Sequence, residues 1–203
     1  MSSKKDIITV AIDSPAAAGA GTQAKLISNE FDLFYLDTGK IYRLIGMLYI
    51  QNKRKINYNL IKEKIKRINF KDLKDRKLLN DNVAIAASII AKDKRIRTII
   101  KNLQRNFAYN PPKKFKGSVL DGRDITSVIM KKATFKFYIT ANVRIRAQRR
   151  YLEYKKLKRN ISFNEVLKSI KKRDYLDKNR TISPLKKTKD SILINTSKLS
   201  KKA

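Results

Sequence analysis

The residues that most clearly indicate a chemical function form a run of mostly small side chains near the start of the chain: Asp13-Ser14-Pro15-Ala16-Ala17-Ala18-Gly19-Ala20-Gly21-Thr22. Small residues let backbone N–H groups approach and wrap the phosphates of a nucleotide where a helix begins. An apolar run, residues 7–12, precedes this loop and a helix-like segment follows it. This context predicts a phosphate-binding loop in which Thr22 is placed to ligate Mg²⁺. Taken alone, an alanine-rich turn is better explained as an ordinary strand-to-helix connection.

The loop departs from the phosphate-loop pattern G-x-x-x-x-G-K-[ST] at two positions. Ser14 stands at the first glycine and Ala20 stands at the lysine that ordinarily reaches the β- and γ-phosphates. Losing such a cation costs about 3 kcal/mol of transition-state stabilisation. Three accounts stay open: Lys25 or Lys40 substitutes for the lysine, the protein binds nucleotide without efficient transfer, or Ala20 is an introduced substitution.

Two further motifs follow predicted strands that end in aspartate: Asp37-Thr38-Gly39-Lys40-Ile41-Tyr42-Arg43 and Asp121-Gly122-Arg123-Asp124. The carboxyl ends of parallel strands are where α/β folds bind ligands. Arginine grips a phosphate through two parallel hydrogen bonds, and Gly122 is expected to permit a tight turn after its strand. A surface arginine and a salt-bridged turn are the alternative explanations.

The fourth group is rich in arginine: Arg144, Arg146, Arg149 and Arg150, then Arg173, Asp174, Asp177 and Arg180. On a helix, Arg173, Asp177 and Arg180 share one face. A solvated salt-bridge ladder, worth a few tenths of a kcal/mol per pair, is one explanation. The other is a lid that brings arginines onto a transferring phosphoryl group.

Short apolar strands must position these groups. They are predicted at residues 7–12, 33–36, 118–120, 135–140 and 192–194. Helix-length segments separate them, which indicates an α/β fold with a mostly parallel sheet. Residues 51–80 are expected to form a small helical insertion, residues 83–107 one or two helices, and residues 142–180 a mostly helical segment. Ser162 and Glu165 have the spacing of a capping box at a helix start.

Composition excludes several kinds of chemistry. The 203 residues contain no cysteine and no histidine, so disulfides, thiol catalysis and a histidine acid–base group are excluded. No stretch approaches the roughly 18 apolar residues of a membrane span, and no apolar signal region precedes the first strand. We therefore expect a cytoplasmic protein without membrane contact.

The formal charge is +32, from 49 Lys and Arg against 17 acidic residues. Affinity for nucleic acid is the direct interpretation. Compositional drift is the alternative, because the chain is heavy in Lys, Ile and Asn, whose codons are A/T-rich. The even spread of lysines along the chain favours drift, with only non-specific nucleic-acid contact.

Taken in order, these motifs resemble those of bacterial cytidylate (CMP) kinase, a P-loop nucleoside monophosphate kinase, over about residues 7–199. The matching positions include Ile12-Asp13, Pro15, Gly19, Gly21-Thr22, Thr38, Arg43, Ala87-Ser88, Arg95-Ile96-Arg97, Gln104-Arg105, Asp121-Gly122-Arg123-Asp124-Ile125, Arg146-Ala147, Arg149-Arg150-Tyr151, Arg173-Asp174, Asp177 and Asn179-Arg180. Thr126 and Lys131 depart from the family pattern and put the path of their loop in doubt.

The resemblance implies one P-loop kinase domain over residues 1–203, with a central parallel five-stranded sheet flanked by helices. Its core would comprise about residues 1–50, 110–141 and 185–203. A helical part that binds the nucleoside monophosphate (NMP) would span about residues 51–109, and a lid about residues 142–184.

The resemblance also implies site residues. ATP would be bound by Ser14, Pro15, Ala16, Ala17, Ala18, Gly19, Ala20, Gly21, Thr22 and Arg149. CMP would be bound by Thr38, Tyr42, Arg43, Ser88, Arg97, Asp121, Arg123, Arg173, Asp177 and Arg180. The catalytic arginines would be Arg123, Arg146, Arg150 and Arg180, and Mg²⁺ would be bound by Thr22, Asp37 and Asp121.

The expected activity is transfer of the ATP γ-phosphoryl group to CMP or dCMP, with Mg²⁺, by a monomer. Compensation for Ala20 is favoured because the CMP-contacting set is intact. A UMP or shikimate-like acceptor is a rival that the set Ser88, Arg173, Asp177 and Arg180 argues against. Another alternative is a catalytically impaired nucleotide-binding relative, or a basic nucleic-acid-binding protein on a kinase scaffold.

Overall fold

The computed structural model describes residues 7–69 and 71–199. Its strands are β1 (Ile8–Asp13), β2 (Leu33–Asp37), β3 (Gly117–Gly122), β4 (Phe135–Thr140) and β5 (Ile192–Asn195). Its α-helices are α1 (Ala20–Glu30), α2 (Thr38–Gln51), α3 (Tyr58–Lys66), α4 (Asp81–Ile90), α5 (Lys94–Tyr109), α6 (Val143–Lys156) and α7 (Phe163–Asn179). Two 3-10 turns, Asp72–Lys74 and Arg76–Leu79, and a π-helical turn, Ile125–Ile129, complete the described elements.

The described strands form a single parallel sheet in the order β2-β3-β1-β4-β5. Apolar layers cover both of its faces, as a parallel sheet requires. On one face, α1 packs Ala20 and Ala24 against Val10 and Ile12 of β1. On the other face, Ile41 of α2 belongs to a larger cluster that extends through α3, α4 and α5. The α/β prediction is confirmed.

The element boundaries agree closely with the sequence patterns. Every predicted strand is present, and its ends differ from the prediction by at most two residues. The capping box is confirmed: the Ser162 hydroxyl accepts from the Glu165 amide at 3.2 Å, and the Glu165 carboxylate accepts from the Ser162 amide at 2.8 Å. These features were predictable because caps and apolar runs are local patterns.

Gly122 has a different role from the one its sequence context indicated. It lies inside β3, and all six residues of that strand are buried. A β-carbon added at Gly122 would lie 2.5 Å from the hydroxyl oxygen of Thr38. Glycine is therefore needed at this position because the start of α2 packs directly against the end of β3, and not because it permits the turn that follows the strand.

Asp13, at the end of β1, organises the segment in which Thr126 departs from the family pattern. Its carboxylate accepts from the amides of Ile125 and Thr126 at 2.7 and 2.9 Å, and from the Thr126 hydroxyl at 2.6 Å. Burial raises the pKa of Asp13 to about 6 from its ordinary 3.8, although these hydrogen bonds oppose the shift. Asp13 thereby fixes the π-helical turn that follows β3.

Replacing Asp13 by alanine is expected to destabilise the fold by about 3 kcal/mol, because it leaves buried donors without an acceptor. The melting temperature should fall by about 6–12 °C. Since the folded pKa exceeds the unfolded value, this group's contribution to stability is largest below pH 3.8 and is lost as pH rises through about 6. That part of the pH dependence should disappear in the variant.

The measurement is thermal unfolding of both proteins across this pH range. Ser28→Ala is the control, because it removes one hydrogen bond, from the Ser28 hydroxyl to the carbonyl of Leu33 at 2.6 Å. If Asp13→Ala lowers the melting temperature no more than Ser28→Ala does, the role given to Asp13 is contradicted.

Candidate active site

A cleft opens at the carboxyl edge of the sheet, where β2 and β3 end and α4 and α7 approach. Ligands bind at this edge in open α/β sheets. Its lining residues are Thr38, Gly39, Tyr42, Ala87, Ser88, Ala91, Gly122, Arg123, Asp124, Arg173, Asp177 and Arg180. Seven of the ten residues predicted to contact CMP are among them: Thr38, Tyr42, Ser88, Arg123, Arg173, Asp177 and Arg180.

Asp177 is the anionic centre of this cleft. It accepts from Nε of Arg123 at 2.8 Å and from the Ser88 hydroxyl at 3.0 Å, and Nε of Arg173 lies 3.9 Å away. Burial opposes ionisation, but the guanidinium groups of Arg123, Arg173 and Arg180 outweigh it and hold the pKa of Asp177 below its ordinary value. The predicted Arg173–Asp177 ladder therefore lies against the cleft and is not a solvated surface feature.

Positive charge accumulates at one end of the cleft. Burial, together with the neighbouring guanidinium groups of Arg123, Arg43 and Arg150, lowers the pKa of Arg173 to about 9. Within the described chain, Nε of Arg173 is buried without a hydrogen-bond partner. These four neighbouring guanidinium groups make a site for a multiply charged anion.

Asp124, which also lines the cleft, is the centre of a second buried ionic group. Its carboxylate pairs with Nη2 of Arg97, and Nη2 of Arg180 lies 3.9 Å from its other oxygen. Arg97 also donates to the carbonyl of Ala91 at 3.2 Å. Arg97 therefore lies outside the cleft lining, where it positions Asp124. Asp124 was missing from the predicted set, although its place in D-G-R-D was a signal for it.

The phosphate loop is held from the lid side. Gly19 has the left-handed φ of 97° that glycine adopts without strain, and it is the N-cap of α1. Arg146 donates to the carbonyl of Ala16 at 2.9 Å and pairs with Asp174 at 2.7 Å, and Asp174 accepts from the amide of Ala16 at 3.3 Å. Asp174 was also absent from the predicted set, although it adjoins Arg173 in the motif.

The predicted lid arginines separate in the structure. Arg149 donates to the hydroxyl and the carbonyl of Thr196 at 2.9 and 2.6 Å, and Thr196 in turn donates to the carbonyl of Ala18. Arg150 lies on the other side, 3.0 Å from Glu153 and over the ring of Tyr154. The structure thus places Arg146 and Arg149 beside the phosphate loop, and Arg150 beside the positive end of the cleft.

Arg43 lies next to Arg150 and outside the cleft lining. Its guanidinium donates to the carbonyl of Leu78 at 2.7 Å. Burial lowers its pKa, and the charge of Arg150 lowers it further. The 3-10 turn Arg76–Leu79 therefore holds Arg43 at the rim.

Two carboxylates end neighbouring strands beside the phosphate loop. Asp37 and Asp121 are paired in register, and burial together with the Asp37 charge raises the pKa of Asp121. One Asp121 oxygen is buried without a hydrogen-bond partner among the described residues. The other would lie 3.7 Å from a β-carbon added at Gly21, at the start of α1.

Comparison with known proteins identifies the family of the chain. The family model for cytidylate kinase matches residues 10–203. A cytidylate kinase of Clostridium botulinum (strain Loch Maree / Type A3) is 40% identical, over 94% of this chain and 90% of the relative. A cytidylate kinase of Fusobacterium nucleatum is 39% identical, over 96% of this chain and 92% of the relative.

The chain belongs to the cytidylate kinase family.

Membership of the cytidylate kinase family confirms the resemblance inferred from the motifs, together with the P-loop kinase fold. The impaired and nucleic-acid-binding alternatives gain no support from these relatives. Among the helices that the structure describes, none is long and apolar enough to cross a membrane.

The residues near Asp121 fit a divalent cation, on which phosphoryl transfer by this family generally depends. In the described part of the chain, no three acidic side chains are grouped so that they could hold a metal ion, so a fully protein-coordinated metal site is absent there. Mg²⁺ is normally held by one or two carboxylates, waters and substrate phosphates. Asp37 and Asp121 end paired stretches of neighbouring strands, and one Asp121 oxygen has no partner among the described residues, which fits this partial mode of binding.

Proposed function

We propose that this protein transfers the γ-phosphoryl group of ATP to CMP or dCMP, giving ADP and CDP or dCDP. Besides family membership, one structural observation supports this proposal. A cleft that joins Ser88 and two buried carboxylates to a cluster of arginines lies next to a phosphate loop. Hydrogen-bonding groups suit a nucleobase and its sugar, and the arginines suit a phosphate.

In this proposal the two ends of the cleft hold different parts of CMP. Thr38, Ser88, Arg97, Arg173 and Asp177 serve the cytosine and ribose side, with Arg97 acting through Asp124. A pocket built to hydrogen-bond one base rejects analogues that leave its buried polar groups unpaired. The phosphate is held by Arg43, Arg123 and Arg180, with Tyr42 packed behind them.

Transfer needs positioning and charge stabilisation more than acid–base chemistry. A phosphate oxygen of CMP forms a bond to the γ-phosphorus of ATP. The bond from that phosphorus to the β–γ bridging oxygen breaks, and its electron pair leaves with ADP. No proton is transferred, so a chain without histidine or cysteine can catalyse the step. Arg123, Arg146, Arg150 and Arg180 stabilise the charge on the transferring group.

The donor side of the site is the loop from Ser14 to Thr22 with Arg149 above it. Its backbone amides point to the ATP phosphates at the start of α1. Thr22, Asp37 and Asp121 would hold Mg²⁺, which neutralises phosphate charge when bound. Closure of the α6–α7 lid excludes water, which otherwise hydrolyses ATP.

The test is incubation of the protein with ATP, Mg²⁺ and each nucleoside monophosphate in turn, with quantification of the diphosphates. CMP and dCMP should be at least about 100-fold better acceptors than UMP, AMP or GMP, as judged by kcat/KM. Ser88→Ala is the companion variant, and it should lose discrimination between CMP and UMP. A preference for another acceptor would contradict the proposal. Binding of CMP and ATP without CDP formation would establish the impaired alternative.

A further inference from the structure

The phosphate loop lacks the lysine that its pattern requires, and the structure shows that Ala20 cannot serve in its place. Its side chain is 3% exposed and packs with Ala24, Val10 and Ile12 between α1 and the sheet. If ATP is the phosphoryl donor, as proposed above, another cation must meet the charge on its β- and γ-phosphates. The inference below rests on that proposed function.

We propose that Lys40 supplies this charge, by reaching across the Asp121 carboxylate to the β- and γ-phosphates of ATP.

The first turn of α2 is fixed in the place that this role requires. The Lys40 amide donates to the side chain of Asp37, the N-cap of α2, at 3.2 Å. The Thr38 hydroxyl donates to the carbonyl of Asp121 at 2.8 Å, which ties this turn to the end of β3. One oxygen of the Asp121 carboxylate lies near the start of α1, 3.7 Å from where a β-carbon on Gly21 would stand. Asp121 is therefore next to both the turn that carries Lys40 and the phosphate loop.

The Lys40 ammonium is close to this site and is not neutralised by a single partner. It lies near enough to Asp121 for its charge to oppose the rise in that carboxyl's pKa. The residue is half-buried, and the described residues provide its Nζ with no hydrogen bond or salt bridge. A cation in this situation is free to turn to an anionic ligand when one is bound.

The other cations near the loop are less suited to the role. Arg146 is engaged by the carbonyls of Ala141 and Ala16 and by Asp174. Arg149 is engaged by Thr196. Both guanidinium groups are therefore structural ties of the loop and lid before any ligand is bound.

Lys25, the second lysine considered from the sequence, is exposed on α1. Lys25 is not among the main charges that shift the pKa of Asp121 or Asp177, whereas Lys40 is among those that act on Asp121. Lys25 is therefore the matched control: a lysine five residues beyond Ala20 that this proposal leaves without a role.

The first experiment measures nucleotide affinity without turnover, by titration calorimetry with a non-hydrolysable ATP analogue and Mg²⁺. Lys40→Ala should weaken binding by about tenfold or more, the effect of losing one charged hydrogen bond. Lys40→Arg should stay within about threefold of the wild type, because it keeps the charge. Lys25→Ala should stay within about twofold. Alanine is a good helix former, so the first turn of α2 should survive, and thermal unfolding checks this.

The second experiment measures CDP formation. Lys40→Ala should lower kcat by about 100-fold, with the KM for CMP changed by less than about threefold. Adding Ala20→Lys to the Lys40→Ala variant should raise kcat by at least about tenfold. Adding Ala20→Lys to the wild type should raise kcat by much less. Such non-additivity is expected only if the two positions serve one function.

The outcomes separate the two proposals. If analogue binding depends on Lys40 but the wild type forms no CDP, the proposed function fails and the role of Lys40 stands. If the wild type forms CDP and Lys40→Ala matches it in analogue affinity and kcat, the role of Lys40 is wrong and the function stands. If the wild type neither binds the analogue nor forms CDP, both are wrong.

Discussion

Replacing Asp177 by asparagine is expected to lower kcat/KM for CMP by about 1000-fold and to destabilise the fold by about 3 kcal/mol. Asparagine has nearly the same shape, so it removes the charge without leaving a cavity. The carboxylate it replaces is 3% exposed and faces Arg123, Arg173 and Arg180. Without it, their mutual repulsion in a buried place is uncompensated.

Thermal unfolding and steady-state kinetics would test this, with assays run well below the variant's melting temperature. The melting temperature should fall by about 6–12 °C. Asp190→Asn is the control, since it breaks the salt bridge of the exposed Asp190 to Lys136 at 2.5 Å and should cost less than about 1 kcal/mol. Equal behaviour of the two variants would show that Asp177 does not organise the arginines.

Replacing Arg123 by alanine is expected to lower kcat by about 100- to 1000-fold. Its Nε is bound to Asp177 at 2.8 Å and one Nη to the carbonyl of Gly122 at 3.1 Å. These contacts fix the guanidinium at the cleft, beside the end of β3. Because the charge on the transferring phosphoryl group changes during reaction, a fixed guanidinium stabilises the transition state more than the bound substrate.

Separate determination of kcat and of the KM for CMP tests this role. Arg123→Lys should recover only part of the rate, because lysine keeps the charge but not the planar pair of donors. Arg105→Ala is the control: Arg105 is an exposed arginine that donates to the carbonyl of Val128 at 3.0 Å, and the variant should have near-normal kinetics. A raised KM with unchanged kcat would mean that Arg123 only binds CMP and does not act in the transition state.

Much of the fold could be predicted from local sequence patterns. The capping box at Ser162, the strand ends at Asp37 and Asp121 and the loop after β1 were all found at the expected places. Each depends on residues close together in the chain, so spacing alone carries the information. Gly122 shows the limit of such arguments, because the reason for glycine there is a contact with Thr38, on another element.

The candidate site depends on contacts between distant segments, and these only partly followed from motifs. Ser88 meets Asp177 across 89 residues, and Arg97 meets Asp124 across 27. The family resemblance implied that Arg97 contacts CMP, and the structure places its buried guanidinium against Asp124 and Ala91, outside the cleft lining. A local sequence pattern does not predict which distant residue will form an ion pair with a buried charged side chain.

The sequence by itself determined that a phosphate loop follows the first strand and that its lysine position is occupied by Ala20. It also determined the order of motifs that marks the family. Only the tertiary structure decided that the Ala20 methyl is packed into the core, that Lys25 is exposed on α1, and that the charge of Lys40 acts on Asp121. The physical reason is that electrostatic interaction depends on distance through the fold, which the packing of α2 against β3 determines and separation along the chain does not.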